Sequence, residues 1–165
     1  MCTSIRFSDS DGHAYLARNL DWTNGYGEGV VITPTGLVPR SPFGAIHDVE
    51  HAVIGMAIVE EDVPLYYDCG NDAGLAVAGL NFPGYAQYAP GPQEGATNVA
   101  AFEFPLWLTS QFTTVDEVQA ALRSVVIVDR PINERFPNAM LHWIVADDDR
   151  SIVVEQTAHG MQVFD

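Results

Sequence analysis

Cys2 directly follows the initiator Met, so loss of Met1 would put a thiol and an α-amine on one residue. The thiolate is the nucleophilic form of cysteine, and an adjacent base can take its proton. All seven basic residues of the chain are arginine, which leaves the α-amine as its one alkyl amine. An α-amine titrates near 7.7–8.0, against about 10.4 for lysine, and so works as a base around neutral pH. A cysteine in second position is also a common incidental residue, and this pairing needs company. Arg18 and Asp21 can supply it. A guanidinium favours a nearby thiolate, and a carboxylate can hold a terminal ammonium in place. In a strand, Arg18 and Leu20 share one face while Asp21 points to the other. Both charges reach one thiol only where that strand ends or bulges near Leu20; a surface arginine and a turn aspartate fit the same residues. Asn81, at the end of an apolar run and before Pro83-Gly84, can aim an amide donor at a developing oxyanion or simply close a turn.

These residues need strands to present them. Thr3 to Phe7 and Ala14 to Leu20 flank a Ser/Asp/Gly turn and read as a hairpin. Val30 to Thr33, Ala52 to Val59, Leu65 to Asp68 and Leu75 to Leu80 continue as short strands between turn residues. A helix is expected over Val99 to Phe112, with Pro105 kinking it or starting it afresh. A second is expected over Val115 to Val126, where Thr114 and Glu117 match a capping box. After an irregular Pro/Asn stretch, Leu141 to Ala146 and Ser151 to Gln156 form another hairpin, and Gly160 turns into Met161 to Phe164. Strands, then helices, then strands imply an α+β fold of antiparallel sheet covered by helices, read as a single domain over residues 1–165.

Composition narrows the function classes. A chain of 165 residues with 47% hydrophobic content can bury a core. Its net charge of -15 argues against nucleic acid as a partner and against an anionic membrane surface. The start lacks the basic and apolar regions of a signal peptide, and the longest apolar run, Ala52 to Val59, falls far short of the roughly 20 residues that span a bilayer. Two cysteines make no disulfide framework, so a cytoplasmic protein with reduced thiols is expected.

Several motifs together resemble the choloylglycine hydrolase family, which comprises bile salt hydrolases and penicillin V acylases. They are Met1-Cys2-Thr3, Arg18-Asn19-Leu20-Asp21-Trp22, Gly79-Leu80-Asn81-Phe82-Pro83-Gly84, Glu103-Phe104-Pro105-Leu106-Trp107, Leu141-His142-Trp143 and Ser151-Ile152-Val153-Val154-Glu155. The resemblance implies the N-terminal-nucleophile hydrolase fold, a four-layer αββα sandwich. It implies Cys2 as nucleophile with its own amine as base, Arg18 and Asp21 as electrostatic and orienting partners, and Asn81 near the oxyanion hole. Asn81 favours the bile salt hydrolases, since penicillin V acylases tend to carry Tyr there. The family's substrate loops map onto Leu20, Trp22 and Tyr26, and onto the region Val59 to Leu65. The implied activity is hydrolysis of glycine- or taurine-conjugated bile salts, with no metal or other cofactor, as in enzymes of gut Gram-positive bacteria. Penicillin V acylase or a related N-acyl amidase is the alternative. Family members are roughly twice as long, and a second active-site Asn and a further Arg would follow Asp165. A truncated sandwich is therefore expected, with unpaired sheet edges that invite homo-oligomer formation. Its activity is expected to be impaired or absent, at the extreme that of a non-catalytic remnant.

Other motifs carry less. His47-Asp48-Val49-Glu50-His51 fits H-x-x-E-H, but that motif needs a helix and a third ligand, and here it reads as a loop. Cys69 reads as a small packed residue and His142 as a structural histidine.

Overall fold

The computed structural model describes residues 2–21 and 23–165. The chain opens with β1 (Thr3–Ser8) and β2 (Ala14–Asn19), an antiparallel hairpin. In the turn, Asp9 Oδ1 accepts the backbone N–H groups of Asp11 and His13, both at 2.9 Å. Then follow β3 (Gly29–Thr33), β4 (Val53–Glu60), β5 (Val63–Asn71), β6 (Ala76–Asn81) and β7 (Thr97–Ala100). Helices α1 (Phe104–Gln111) and α2 (Val115–Ala121) precede β8 (Val125–Val128), β9 (Leu141–Ala146), β10 (Ser151–Thr157) and β11 (Gly160–Phe164).

Seven strands form the main sheet in the order β11-β10-β9-β6-β5-β4-β3, each antiparallel to its neighbours. Period-2 alternation gives this sheet two unlike faces. Cys69, Val77, Val145 and Ile152 lie side by side across four strands and are buried. Cys69 Sγ sits 3.8 Å from the Pro105 carbonyl and 3.4 Å from Thr109 Oγ1, so this face lies beneath α1. Trp143, on the same face, packs against Phe104 with ring centroids 4.6 Å apart. The opposite face carries Asp68 and the small residues Gly70, Ala76 and Ala78, and the β1-β2 hairpin approaches it through Leu16 and Arg18. Helices, main sheet and hairpin thus stack in that order. Ile5, Phe7 and Tyr15 on the outer side of the hairpin are exposed, as are Val30, Ile32 and Ile54 on the main sheet.

The helices are shorter than their periodicity implies. Val99 and Ala100 belong to β7, which pairs in parallel with β8, and α1 starts only at Phe104 with Pro105 in its first turn. Proline has no N–H to lose at that position, which makes it a start rather than a kink. Residues Phe104 to Ser110 are all buried, so α1 turns no side to solvent over those positions. The capping box of α2 is present, with Thr114 accepting from the Glu117 N–H and Glu117 answering the N-cap backbone. The helix nevertheless ends at Ala121, because Leu122–Ser124 tighten into a 3-10 turn and Val125 enters β8. No helix among the described residues is long and apolar enough to cross a membrane.

Candidate active site

Cys2 leads into β1, and β2 ends at Asn19, where the hairpin pairing Thr3↔Asn19 brings the start of β1 beside the end of β2. The strand end near Leu20 that Arg18 and Asp21 require is therefore present. Asp21 lies in the exposed segment that follows. Met1 and Trp22 lie outside the described residues.

Arg18 points from the hairpin into the main sheet, and its side chain is only 7% exposed. Its Nη2 donates to the Gly79 carbonyl at 2.9 Å and lies 3.9 Å from Cys2 Sγ. Its Nη1 meets Asp68 Oδ2 at 3.4 Å, and its guanidinium stands 6.0 Å from the centre of the Tyr67 ring. A β-bulge explains how consecutive residues reach one arginine. The β4-β5 pairing shifts between Met56↔Asp68 and Ala57↔Tyr66, leaving Tyr67 without an opposite number. Such a bulge re-aims side chains that strict alternation would send to opposite faces. Burial raises the Asp68 carboxyl above its ordinary value, against the pull of Arg18 and of the Met56 backbone N–H. Burial also raises the Tyr67 hydroxyl, helped by the charge of Glu28.

Cys2 and Arg18 line a cavity of about 470 Å³, within the range of small-molecule sites. Leu20 and Tyr26 belong to its wall, and Asn81, at the end of β6, reaches it from the sheet. Ile58 and Leu65, paired across β4 and β5, add apolar surface. Val59 departs from its expected place. It is 56% exposed and outside the cavity lining, because alternation turns Ile58 inward and its neighbour outward. Glu28 also lines the cavity; its carboxylate accepts its own N–H and that of Tyr26, which hold it below the usual carboxylate range.

A further wall went unread in the sequence. Ile132, Phe136, Pro137 and Met140 line the cavity from the irregular segment between β8 and β9. Asn133 pins that segment to the β4-β5 turn by donating to Glu60 at 2.8 Å and Glu61 at 2.9 Å. Its Oδ1 accepts the backbone N–H groups of Arg135 and Phe136. Phe136 meets Tyr26 edge-on, with centroids 6.2 Å apart. Apolar residues interspersed in a Pro/Asn stretch were the available clue, since a loop that displays Ile and Phe needs something to cover them.

The second thiol is of another kind. Cys69 lies beneath α1, and burial pushes its thiol up from 9.0 to about 12. Iodoacetamide is accordingly expected to label Cys2 but not Cys69 in the native protein below pH 9, with Cys69 reacting only after unfolding. A raised folded-state value means the protonated thiol favours the native state. That contribution is intact below pH 9.0 and is lost as pH rises toward about 12. Peptide-resolved mass spectrometry reads the labelling; native Cys69 alkylation at pH 8 would contradict it.

The H-x-x-E-H segment forms no helix, and His51 instead meets Asp72 at 3.4 Å. Among the described residues, only Asp9, Asp11 and His13 bring three ligand-type side chains together, all exposed in the hairpin turn.

Residues 2–165 match the family described as linear amide C-N hydrolases, choloylglycine hydrolase family. The chain is 51% identical over 164 residues to a bile salt hydrolase/transferase of Bifidobacterium longum subsp. longum, covering 99% of this chain and 51% of that protein. It is 47% identical over 166 residues to a conjugated bile acid hydrolase of Lactobacillus acidophilus, covering 100% and 52%. A crystal structure of a mutant conjugated bile acid hydrolase from Clostridium perfringens superposes with a TM-score of 0.92 at 36% identity, over 100% of this chain and 51% of that one. Penicillin V acylase from Agrobacterium tumefaciens, at 20% identity and TM-score 0.73, shares the fold over 99% of this chain and 49% of its own. The chain spans about half the length of the curated relatives it matches.

Proposed function

This chain belongs to the choloylglycine hydrolase family of linear amide C-N hydrolases and has the N-terminal-nucleophile hydrolase fold, and on that premise we propose that its Cys2 site hydrolyses the amide bond of glycine- or taurine-conjugated bile salts. The observation that carries this reading is Arg18 Nη2 at 3.9 Å from Cys2 Sγ, both on the wall of one largely apolar cavity. Such a cavity suits a steroid, whose recognition rests on broad apolar contact. Leu20, Ile58, Leu65, Phe136 and Met140 supply that contact here.

With Met1 removed, the Cys2 thiolate attacks the amide carbonyl carbon, forming a C–S bond and placing the electron pair on oxygen. Arg18 stabilises the thiolate beforehand. Asn81, from the end of β6, donates its side-chain amide to the oxyanion. The tetrahedral intermediate collapses with cleavage of the C–N bond, and the α-ammonium of Cys2 gives its proton to the departing amine of glycine or taurine. A thioester remains. Water then adds to it while the same α-amine takes a proton, the C–S bond breaks, and the bile acid leaves as the thiolate is restored. Asp21 orients the ammonium through this cycle, which closes without metal or organic cofactor. Two free thiols and the absence of a disulfide demand fit a reducing, cytoplasmic setting.

The test is release of glycine from glycocholate and of taurine from taurocholate, with penicillin V assayed in parallel. Amine release that is weak but exceeds turnover of penicillin V is expected. Folded protein with a free N-terminal Cys2 that releases neither amine would overturn the proposal for this chain, and preferential cleavage of penicillin V would move it to the acylase branch.

A further inference from the structure

Arg18 is a buried cation with few partners. Its side chain is 7% exposed, and its Nε is buried with no hydrogen-bond partner among the described residues. A guanidinium held through a single acceptor can pivot about that bond, whereas two acceptors on different nitrogens fix its plane. The Gly79 carbonyl holds Nη2 at 2.9 Å, and the second point is Asp68 Oδ2, 3.4 Å from Nη1. Asp68 reaches this position because the bulge at Tyr67 turns it toward the hairpin. Among the described residues, Tyr67, Tyr26 and Glu28 on the cavity wall and Cys69 next to Asp68 are titratable groups of this neighbourhood. Asp68 is not among the residues lining the cavity, and the site residue its carboxylate meets is Arg18, through which it acts.

We infer that Asp68 is the positioning residue of this site: its carboxylate fixes the Arg18 guanidinium against Cys2 Sγ, and its charge tempers how strongly that guanidinium favours the thiolate. The inference rests on the reading of Cys2 as the nucleophile.

These two roles pull in opposite directions, and substitutions separate them. Asp68→Asn keeps an acceptor of the same shape and removes the charge. Asp68→Ala removes both. The readout is the rate of Cys2 alkylation by iodoacetamide at pH 7, in protein with Met1 removed and with Cys69 resolved as a separate peptide. D68N is expected to react about threefold or more faster than the parent, because Arg18 stays in place with less compensation. D68A is expected to react about tenfold more slowly, because Arg18 swings away from the thiol. In an Arg18→Gln background neither change should move the rate by more than about twofold, as residues acting through one partner are non-additive.

Loss of fold would expose the buried Cys69 to alkylation as well, which its separate peptide reads, so a variant with labelled Cys69 is set aside as unfolded. Acceleration in both would make Asp68 a compensating charge alone and overturn the positioning role; no change in either overturns the inference altogether. Should D68A fail to fold, D68N decides by itself with R18Q/D68N as its control, and an unaltered or slower D68N sinks the proposal. Alkylation requires no amide turnover. A parent that alkylates as described but releases no amine would defeat the bile salt reading and leave the role of Asp68 standing.

Discussion

Replacing Cys2 by alanine is expected to reduce amide hydrolysis by at least about a thousandfold, the usual scale when a covalent nucleophile is removed. Nothing else among the described residues is placed to take over. Cys69 is buried beneath α1, on the far face of the main sheet, with its thiol pushed up to about 12. Serine at position 2 is expected to restore little, because a hydroxyl ionises far less readily than a thiol and so gains little from the Arg18 guanidinium that favours the thiolate. Substrate affinity should change no more than about twofold in C2A, since the apolar walls that hold the steroid are untouched. Amine release from conjugated bile salts and equilibrium binding of glycocholate, measured on the same preparations, separate the two quantities. A C2A protein that keeps a few per cent of parental turnover would mean that another group is the nucleophile.

The second large effect concerns folding. Gly55 lies on β4 opposite Cys69, and a Cβ built there would stand 2.1 Å from the Asp68 carbonyl oxygen and 2.6 Å from the Cys69 Cα. Both atoms belong to the backbone of β5, so no side chain can rotate away. Gly55→Ala must therefore force β4 and β5 apart inside the main sheet, beside the bulge that brings Tyr67 and Asp68 to Arg18. A loss of roughly 3 kcal/mol or more is expected, at or beyond the upper end of overpacking costs. For a domain of marginal stability this leaves much of the protein unfolded. Gly91→Ala is the control, because a Cβ there meets nothing within 4 Å. Urea unfolding followed by far-UV circular dichroism compares them, and a G55A midpoint equal to that of G91A would show that the strands yield more easily than this geometry allows.

Much of the β-architecture was legible in the sequence because turns and alternation are local properties. The β1-β2 hairpin announces itself through Asp9, Gly12 and the flanking alternation, and its two strands follow each other directly across one short turn. The helices were less fully legible. Val99-Ala100 and Val125-Val126 fall within the helices expected from the sequence, yet they belong to a parallel pair, β7 and β8, joined only after α1 and α2 have intervened. A four-residue apolar stretch carries no periodicity that separates strand from helix, so the choice falls to tertiary pairing.

The candidate site divides in the same way. Residue chemistry and the order of the motifs sufficed to bring forward Cys2, Arg18, Asp21 and Asn81, to exclude a lysine base, and to point to an N-terminal nucleophile. These candidates depend on functional groups and spacing, which a sequence displays directly. Asp68 as the partner of Arg18, Ile58 rather than Val59 on the cavity wall, and the segment carrying Ile132 and Phe136 were decided by the tertiary structure alone. Arg18 and Asp68 are separated by 50 residues, and their meeting depends on a bulge that adds one residue to β5. A shift of one position reverses which side chains face the cavity, and it is settled by the packing of the sheet between α1 and the hairpin.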